Sequence, residues 1–573
     1  MSPVPAVLGA FVLYFLGYRF YARFLGARIF GLDAERVTPA HALEDGVDYV
    51  PTRPGILFGH HFASITGLAP MLGPAVAVIW GWLPALLWVV LGAILIGCVH
   101  DFAALVISLR HRGMSVGEVA ASVIGKRART LFHLIIFFGV ALAMGVFVFV
   151  IARLFSVELR PGTPGYPQAV LPSGLLMVIA VVSGVLLYKK GFRLWKVALA
   201  GFLLELLSIW AGTTWPTAGL PASSWPSAGS WTWVLLGYAF AASVLPVWAL
   251  LQARDFLNAL LLYLGLFLAY LGFFASDPVF AAPVLDLHPP GAPPLLPFVF
   301  IIIACGAASG FHGLVSSGTT AKQCANERHA LPIGYGAMIG ESLLGLLATL
   351  ACTAGFADRG AWEAHYASWR SAQGLATKID AFIQGTTNFV SSLGILDRDL
   401  ASALIAMVVV SFALTTLDSA TRLLRFNIEE IGATFKVPLT SNRYVSSVLA
   451  CGAIALFAFY EVGGKPAALA LWTLFGTTNQ LLAGLTLTLV SLWLRRRGSP
   501  SWPTAVPAVF MMGSTLYAMG SNLLAFAPGG AREDPLLLVV GGVLFLMALW
   551  LLVEAFLAIR RSPRPREEET PPA

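Results

Sequence analysis

Charge is scarce in this sequence. Only 11% of its 573 residues are Asp, Glu, Lys or Arg, against about 25% in soluble domains. That shortage argues against an ordinary water-soluble fold. Sulfur chemistry is thin as well. The five cysteines, Cys98, Cys305, Cys324, Cys352 and Cys451, stand apart and form no CxxC, so they read as small buried hydrophobes. No Walker-type phosphate loop occurs, which argues against ATP-driven pumping by this chain alone. No HExxH pattern reinforces the histidines as metal ligands. Basic residues that would open a cleavable leader are missing too, since Arg19 and Arg23 come late in the first apolar stretch. That stretch is therefore expected to be a retained span.

What the sequence does contain is apolar: 58% hydrophobic residues and a mean hydropathy of +0.79. We read an all-α polytopic membrane protein. A span needs about 20 largely apolar residues, and on that measure about fifteen are expected. They fall at 4–23, 57–78, 83–108, 131–155, 171–190, 194–212, 231–251, 256–275, 297–316, 333–354, 401–422, 443–460, 466–494, 502–526 and 535–559. The net charge of +7 is scattered through short loops, unlike a nucleic-acid-binding face. With loops assigned alternately to two sides, most Lys and Arg fall with loops 109–130, 189–196 and 421–443, Arg495–Arg497 and the C-terminal tail. The positive-inside rule then puts the N-terminus outside and the C-terminus in the cytoplasm. Residues 213–233, uncharged and rich in Trp, suit an interfacial aromatic belt. Residues 355–400 form an extracytoplasmic insert with room for a short helix, and the tail over 560–573 is expected to be disordered. No soluble domain fits.

Ionisable groups inside spans are costly and usually face an interior cavity. Here they are His60, His61, His100, Asp101, Glu205, His312, Glu341 and Asp418. The topology brings most of them to similar depth in the inner third of the membrane, where carboxylates and imidazoles can exchange protons near neutral pH. Snorkelling from a span end is the plainer reading for Asp418, near Arg422, and Glu205 sits in a span that reads as peripheral. The adjacent pair His60–His61 points to different helix faces, so a metal centre is the weaker alternative.

The second span carries GHHFASITGLAPMLGP, Gly59 to Pro74. Hydrocarbon has no water for backbone groups freed by Gly and Pro, so this segment must line a cavity or pack on protein. The seventh reads GYAFAASVLPVWALLQARD, interrupted at Ser243 to Pro246. Two broken helices five spans apart, entering from opposite sides, are a signature of secondary transporters. Half-helix N-termini there attract an anionic group and freed carbonyls coordinate a cation. In the ninth span, Gly306 and Gly310 suit close helix packing, while Ser316, Ser317, Thr319 and Thr320 offer hard oxygens.

These stretches also resemble the carbon starvation protein A family. The resemblance is carried by GILFGHHFASITGLAPMLGPAVAV, GCVHDFAALVISLRHRGMSVGEV at 97–119, ASVLPVWALLQARDFLNA at 242–259 and SGFHGLVSSGTTAKQCANE at 309–327. IGYGAMIGESL at 333–343, LDSATRLLRFNIEEI at 417–431 and LWTLFGTTNQLLAGL at 471–485 follow in the same order. It implies a LeuT-like core of two inverted five-helix repeats, placed here at 57–212 and 231–431. Residues 1–56 and 443–559 would be additions. The family is described as taking up peptides, and similar members carry pyruvate with protons.

The expected function is proton- or sodium-coupled import of a small carboxylate-bearing nutrient across the bacterial inner membrane, with no cofactor and no nucleic acid partner. The solute is expected between Thr66, Gly67 and Pro70 of the second span and Ser243 and Pro246 of the seventh, with His60 or His61 nearby. Asp101, with His100 and His312, is the expected proton site, joined by Glu341 and Asp418. By analogy with the superfamily, Ser316, Ser317 and Thr319 are the candidate cation ligands. A metal-dependent intramembrane enzyme using His60, His61 and Asp101, and a transporter-like nutrient sensor, are the alternatives.

Overall fold

The computed structural model describes residues 1–560 except Pro161, Gln373 and Gly463–Gly464; the side chains of 462–473 and of several residues near 160 and 375 are also left out of the description. The expected disordered tail lies outside the described residues. The chain is helical throughout, with two very short antiparallel strand pairs among the described residues. The first helices are α1 (Val4–Ile29), the bent pair α2 (Pro54–Ile65) and α3 (Ala69–Trp80), and α4 (Trp82–Leu109). The amphipathic α5 (Val116–Val123) precedes α6 (Lys126–Phe155), α7 (Pro167–Lys189) and α8 (Leu194–Thr214). Next come α9 (Ala228–Val244) and α10 (Leu251–Ala275). The fragments α11 (Leu295–Ile302), α12 (Ala304–Ala307) and α13 (Gly310–Gly318) lead into α14 (Glu327–Ala354). After the insert helix α15 (Leu375–Ser391) the chain runs through α16 (Arg398–Phe435), α17 (Arg443–Phe459), α18 (Ala467–Arg496), α19 (Trp502–Phe526) and α20 (Pro535–Arg560).

Among the described residues, ten helices are long and apolar enough to cross a membrane, eleven if α2 and α3 count as one span. The other expected spans fall on α9, the fragments α11–α13, α17 and α18. The core is α16, α14, α6 and α4. In α16, 89% of the most apolar window is buried inside the protein, against 22% in α1. α10 packs along α2; α9 and α17 both lie against α6 and α16; α10 also touches α16, as α18 touches α6. The α7–α8 hairpin packs mainly on itself and stands at the periphery.

Local chemistry explains the interruptions. Pro54 opens α2, where a missing N–H costs nothing, and the helix stops at Thr66, whose ψ of 87° is not helical. Gly67 and Pro70 follow, and α3 resumes 45° off the axis of α2. α5 starts on a capping box, the Ser115 hydroxyl accepting from Glu118 N–H. The 355–400 insert is helical and covers the far end of α3: Tyr366 donates to Ala75 O at 2.8 Å and Trp369 packs on Trp80.

The second interruption is not where the sequence suggested. Ser243–Pro246 is a helix end. α9 closes at Val244, and the chain leaves through an irregular turn before α10. A proline two residues past the last helical residue ends a helix as naturally as it breaks one. The true second break is in the ninth span, where Ile303 departs from helical geometry (ψ 37°) and Ala308 and Ser309 are extended (ψ 106° and 128°).

Candidate functional site

The two breaks meet. A methyl on Gly73 of α3 would fall 2.5 Å from Ile302 O, and one on Gly306 of α12 would lie 3.8 Å from the Cα of Pro70. Glycine at 73 therefore lets the two broken segments touch inside the protein, the arrangement hydrocarbon tolerates only when protein surrounds it. Asn479 of α18 fixes the break in the ninth span. Its amide oxygen accepts from Phe311 N–H at 2.9 Å, and its NH₂ donates to Ser309 Oγ and to Cys305 Sγ. One side chain thus satisfies an orphan donor at the start of α13 and holds both sides of the gap.

Beside this junction lies a buried chain of titratable groups. His100 Nδ1 is 2.8 Å from Asp101 Oδ1, and His312 Nδ1 is 2.9 Å from Asp101 Oδ2. His312 Nε2 lies 3.0 Å from Glu341 Oε2. That last contact is within ion-pair distance but off the line of a good hydrogen bond, so His312 Nε2 and both Glu341 oxygens have no hydrogen-bond partner. All four side chains are fully buried. An ionised Asp101 can only accept, so both imidazoles donate to it through Nδ1. Each Nε2 is then left able to take or give a proton. Gly313 makes room for this, since a methyl there would fall 2.9 Å from the His100 ring. α4, α13 and α14 each contribute, so a proton on the chain is felt by three helices.

A second buried cluster sits on the other side of α2. His60 Nδ1 is 2.6 Å from Asp255 Oδ2, and Ser64 Oγ donates to the same oxygen at 3.3 Å. Arg254 reaches Asp255 Oδ1 through Nε at 3.1 Å and Nη2 at 2.6 Å. Its Nη1 bonds Tyr238 at 2.5 Å and Asp418, which Tyr238 also contacts. Gln323 Nε2 is 3.2 Å from His60 Nε2, and Gln252 Nε2 bonds Gln323 Oε1 and Thr52 Oγ1.

The structure sorts the expected residues accordingly. His100, Asp101, His312 and Glu341 come together. His60 and His61 part company: His60 joins Asp255, while His61 Nδ1 meets Thr320 Oγ1 at 2.8 Å and its Nε2 has no partner. Asp418 neither snorkels nor contacts the Asp101 chain; it is fully buried and paired with Arg254. Thr66 Oγ1 at the first break is buried without a partner. Ser243 is bonded to Phe240 O and Ser447, and beyond Pro246 the Val247 amide donates to Val47 O. Ser243 is therefore engaged with α17, and the turn after Pro246 with the 43–53 loop. Ser317 and Thr319 donate back to Gly313 O and Val315 O, which occupies their hydrogens and leaves oxygen lone pairs able to accept. Ser317 also accepts from Val116 N–H of α5; Thr320 is the hydroxyl that reaches α2. Ser316 Oγ is buried without a partner. Glu205 is buried with both oxygens unpartnered, on the peripheral hairpin. Among the described residues no group of three or more His, Cys, Asp or Glu could hold a metal ion.

Arg254, Asp255, Tyr238, Gln252, Gln323 and Asn479 were not singled out from sequence. Arg254–Asp255 carried the clearest signal, an ion pair inside an otherwise apolar run. Placing span ends at 251 and 256 turned those charges into a loop. In the structure α10 begins at Leu251 and both are helical and fully buried.

The family model described as Carbon starvation protein CstA matches residues 3–365 and 363–518. The chain is 32% identical to the Peptide transporter CstA of Campylobacter jejuni, covering 92% of this chain and 81% of that protein. It is 31% identical to the Pyruvate/proton symporter BtsT of Escherichia coli, covering 92% and 82%. Among solved structures, the Eremococcus coleocola manganese transporter aligns over 91% of this chain and 99% of its own, at 13% identity and a TM-score of 0.47. With a family model spanning most of its length and relatives above 30% identity, this membrane protein is a transporter, not an enzyme, and belongs to the carbon starvation protein CstA family.

Proposed function

We propose that the protein is a proton-coupled symporter that imports a small carboxylate-bearing nutrient, such as a peptide, an amino acid or pyruvate, across the bacterial inner membrane. The observation that carries the reading is the Asp101–His312–Glu341 chain, closed to about 3 Å at each step and buried beside two touching helix breaks. A proton held between His312 Nε2 and Glu341 neutralises a carboxylate in a region where charge is expensive. Protonated, the chain lets the surrounding helices stay packed. Deprotonated, it favours a state in which water reaches it. That difference in protonation between two conformations is what coupling requires.

The solute site we infer is the junction itself. His61 Nε2, Thr66 Oγ1 and Ser316 Oγ are buried polar atoms without partners on the helices that form it, and an unpaired buried polar atom costs about 1–3 kcal/mol until something satisfies it. A carboxylate is well matched to an imidazole and two hydroxyls.

Alternating access would follow from two inverted five-helix units. Helix packing supports a division different from the contiguous one expected. One unit is α2–α3, α4, α6, α9 and α10; the other is α11–α13, α14, α16, α17 and α18. The α7–α8 hairpin is then an insertion in the first. In this pairing α9 corresponds to α17, both of which lie against α6 and α16, and α10 to α18, whose contacts with α16 and α6 are reciprocal.

Uptake of labelled pyruvate and of a labelled dipeptide into proteoliposomes, under an imposed proton gradient and then a sodium gradient, tests the reading. Concentrative uptake of one solute driven by protons is expected, and at least tenfold less in Asp101→Asn. Uptake driven only by sodium, or unchanged proton drive in Asp101→Asn, would overturn it.

A further inference from the structure

The cluster around Arg254 has an unbalanced charge count. Asp255 and Asp418 bring two negative charges, and the Arg254 guanidinium brings one positive charge that all three groups share. Every member is fully buried, so a net negative charge would remain inside the membrane-spanning core. Such a residue of charge is expensive and the ordinary remedy is a proton. His60 is placed to hold it, 2.6 Å from Asp255 on the side opposite the guanidinium. With a proton added, the pair His60–Asp255 plus Arg254 and Asp418 sums to zero.

The amides around His60 are able to accept either state. Gln323 now presents Nε2 to His60 Nε2 at 3.2 Å, the arrangement a neutral imidazole needs. Turned over, the same amide would present its oxygen to an imidazolium. Gln252, which now gives its NH₂ to Gln323 and has a buried amide oxygen with no partner, would turn with it and accept from the Gln323 NH₂. Other charged and titratable groups against this part of α2 are accounted for. His312 of α13 and Glu341 of α14 are engaged with each other and with Asp101. His61 turns to Thr320, and Tyr238 of α9 bonds Arg254. Arg422, one turn from Asp418 on α16, is also fully buried, but its guanidinium is taken by Asp48 and by Ala242 O and Leu245 O. Lys322, beside Gln323, lies over the Phe426 ring and pairs electrostatically with Asp48.

We propose that the His60–Asp255 pair is a second proton-binding site, separate from the Asp101–His312–Glu341 chain, so that each transport cycle can move more than one proton. The two carboxylate–imidazole sites share no hydrogen bond. The inference extends the proton-symport reading but can be tested without it. The bond between His60 and Asp255 fixes the half-helix α2 to α10, with Ser64 tying the same carboxylate to Ser419 of α16.

The test is a proton count on the purified, full-length, substrate-free protein, taken with a pH-indicator dye in weak buffer from about pH 5 to 8, the range in which imidazoles titrate. Relative to the unmodified protein, His60→Gln is expected to release one proton fewer. Asp255→Asn should match it, because Arg254 and Asp418 then balance without a proton. Asp101→Asn should also release one fewer, and His60→Gln with Asp101→Asn two fewer. Monodispersity and melting are checked for each, and Asp255→Asn serves where His60→Gln does not fold. A full count in both His60→Gln and Asp255→Asn would overturn the proposal, as would a double variant no different from Asp101→Asn alone. If the count falls as expected but neither pyruvate nor dipeptide is taken up, the second site stands and the substrate reading fails.

Discussion

Arg254 shows how much one residue carries at the smallest scale. Its guanidinium fork spans two carboxylates and a phenol that come from α9, its own α10 and α16. Removing one partner of a buried pair costs about 3–5 kcal/mol, because the others stay behind uncompensated. Arg254→Met is therefore expected to lower the unfolding free energy by about that amount. Adding Asp418→Asn should restore a good part of it, since it removes one of the abandoned charges. Arg254→Lys should rescue little, as an ammonium is a point charge and cannot reproduce the fork. Melting curves of the single and double variants in lipid nanodiscs decide this: simply additive losses would mean the groups are not one unit. At this scale the sequence was half legible. Asp101, His312 and Glu341 could be placed at one depth from topology alone, and the structure closes them to within 3.0 Å. Asp255 could not, because a boundary error of a few residues moved it from a helix to a loop.

Elements were legible where chemistry is unambiguous. The break after Thr66 was found because Gly67 and Pro70 both work against a helix there. The break at 303–309 was hidden: ACGAASG contains no proline, and its small residues read as helix packing. What opens the backbone there is tertiary, namely Asn479 reaching across from α18 and the close passage of Gly73. Ser243–Pro246 had the opposite fault, a strong local signal for an ordinary helix end. The contact between breaks can be tested directly. Gly73→Ala puts a methyl 2.5 Å from a backbone oxygen, which cannot rotate away, and overpacking of this kind costs about 1–3 kcal/mol. Uptake should fall several-fold with it. Gly55→Ala, with open space around it, should change neither melting nor uptake. Equal behaviour of the two variants would show that the breaks do not bear on each other.

For the whole molecule, all-helical class, membrane residence and family were readable from composition and long motifs, but the way one face is sealed was not. The 43–53 loop is tied to almost everything around it. Val50 and Thr52 amides donate to Lys322 O and Gln323 O, and Val47 O accepts from Val247. Asp48 binds Arg422 at 2.6 Å and Arg425 at 3.2 Å. Arg422 lies one turn beyond Asp418 on α16, so the same helix carries the buried charge cluster and the clasp. Burial alone would push the Asp48 carboxyl up, but Arg422, Arg425 and Lys322 hold it below the usual aspartate range. A carboxyl lowered in the folded state contributes fully above its unfolded value, about 3.9, and loses that contribution only as pH falls further. Between about pH 5 and 8 the Asp48 carboxylate, and with it the ion pairs of the clasp, is thus constant. Asp48→Asn should loosen the loop at all these pH values alike. Cys324 is a native reporter, fully buried and bridged to Thr52 of the loop. We expect a membrane-impermeant maleimide to label it about tenfold faster in Asp48→Asn, a shift of about 1.4 kcal/mol in the opening equilibrium, with Cys324→Ala identifying the signal. An unchanged rate would mean that backbone pairing, and not the ion pairs, keeps this face shut; a rate that changed with pH would place a titrating group in the clasp itself.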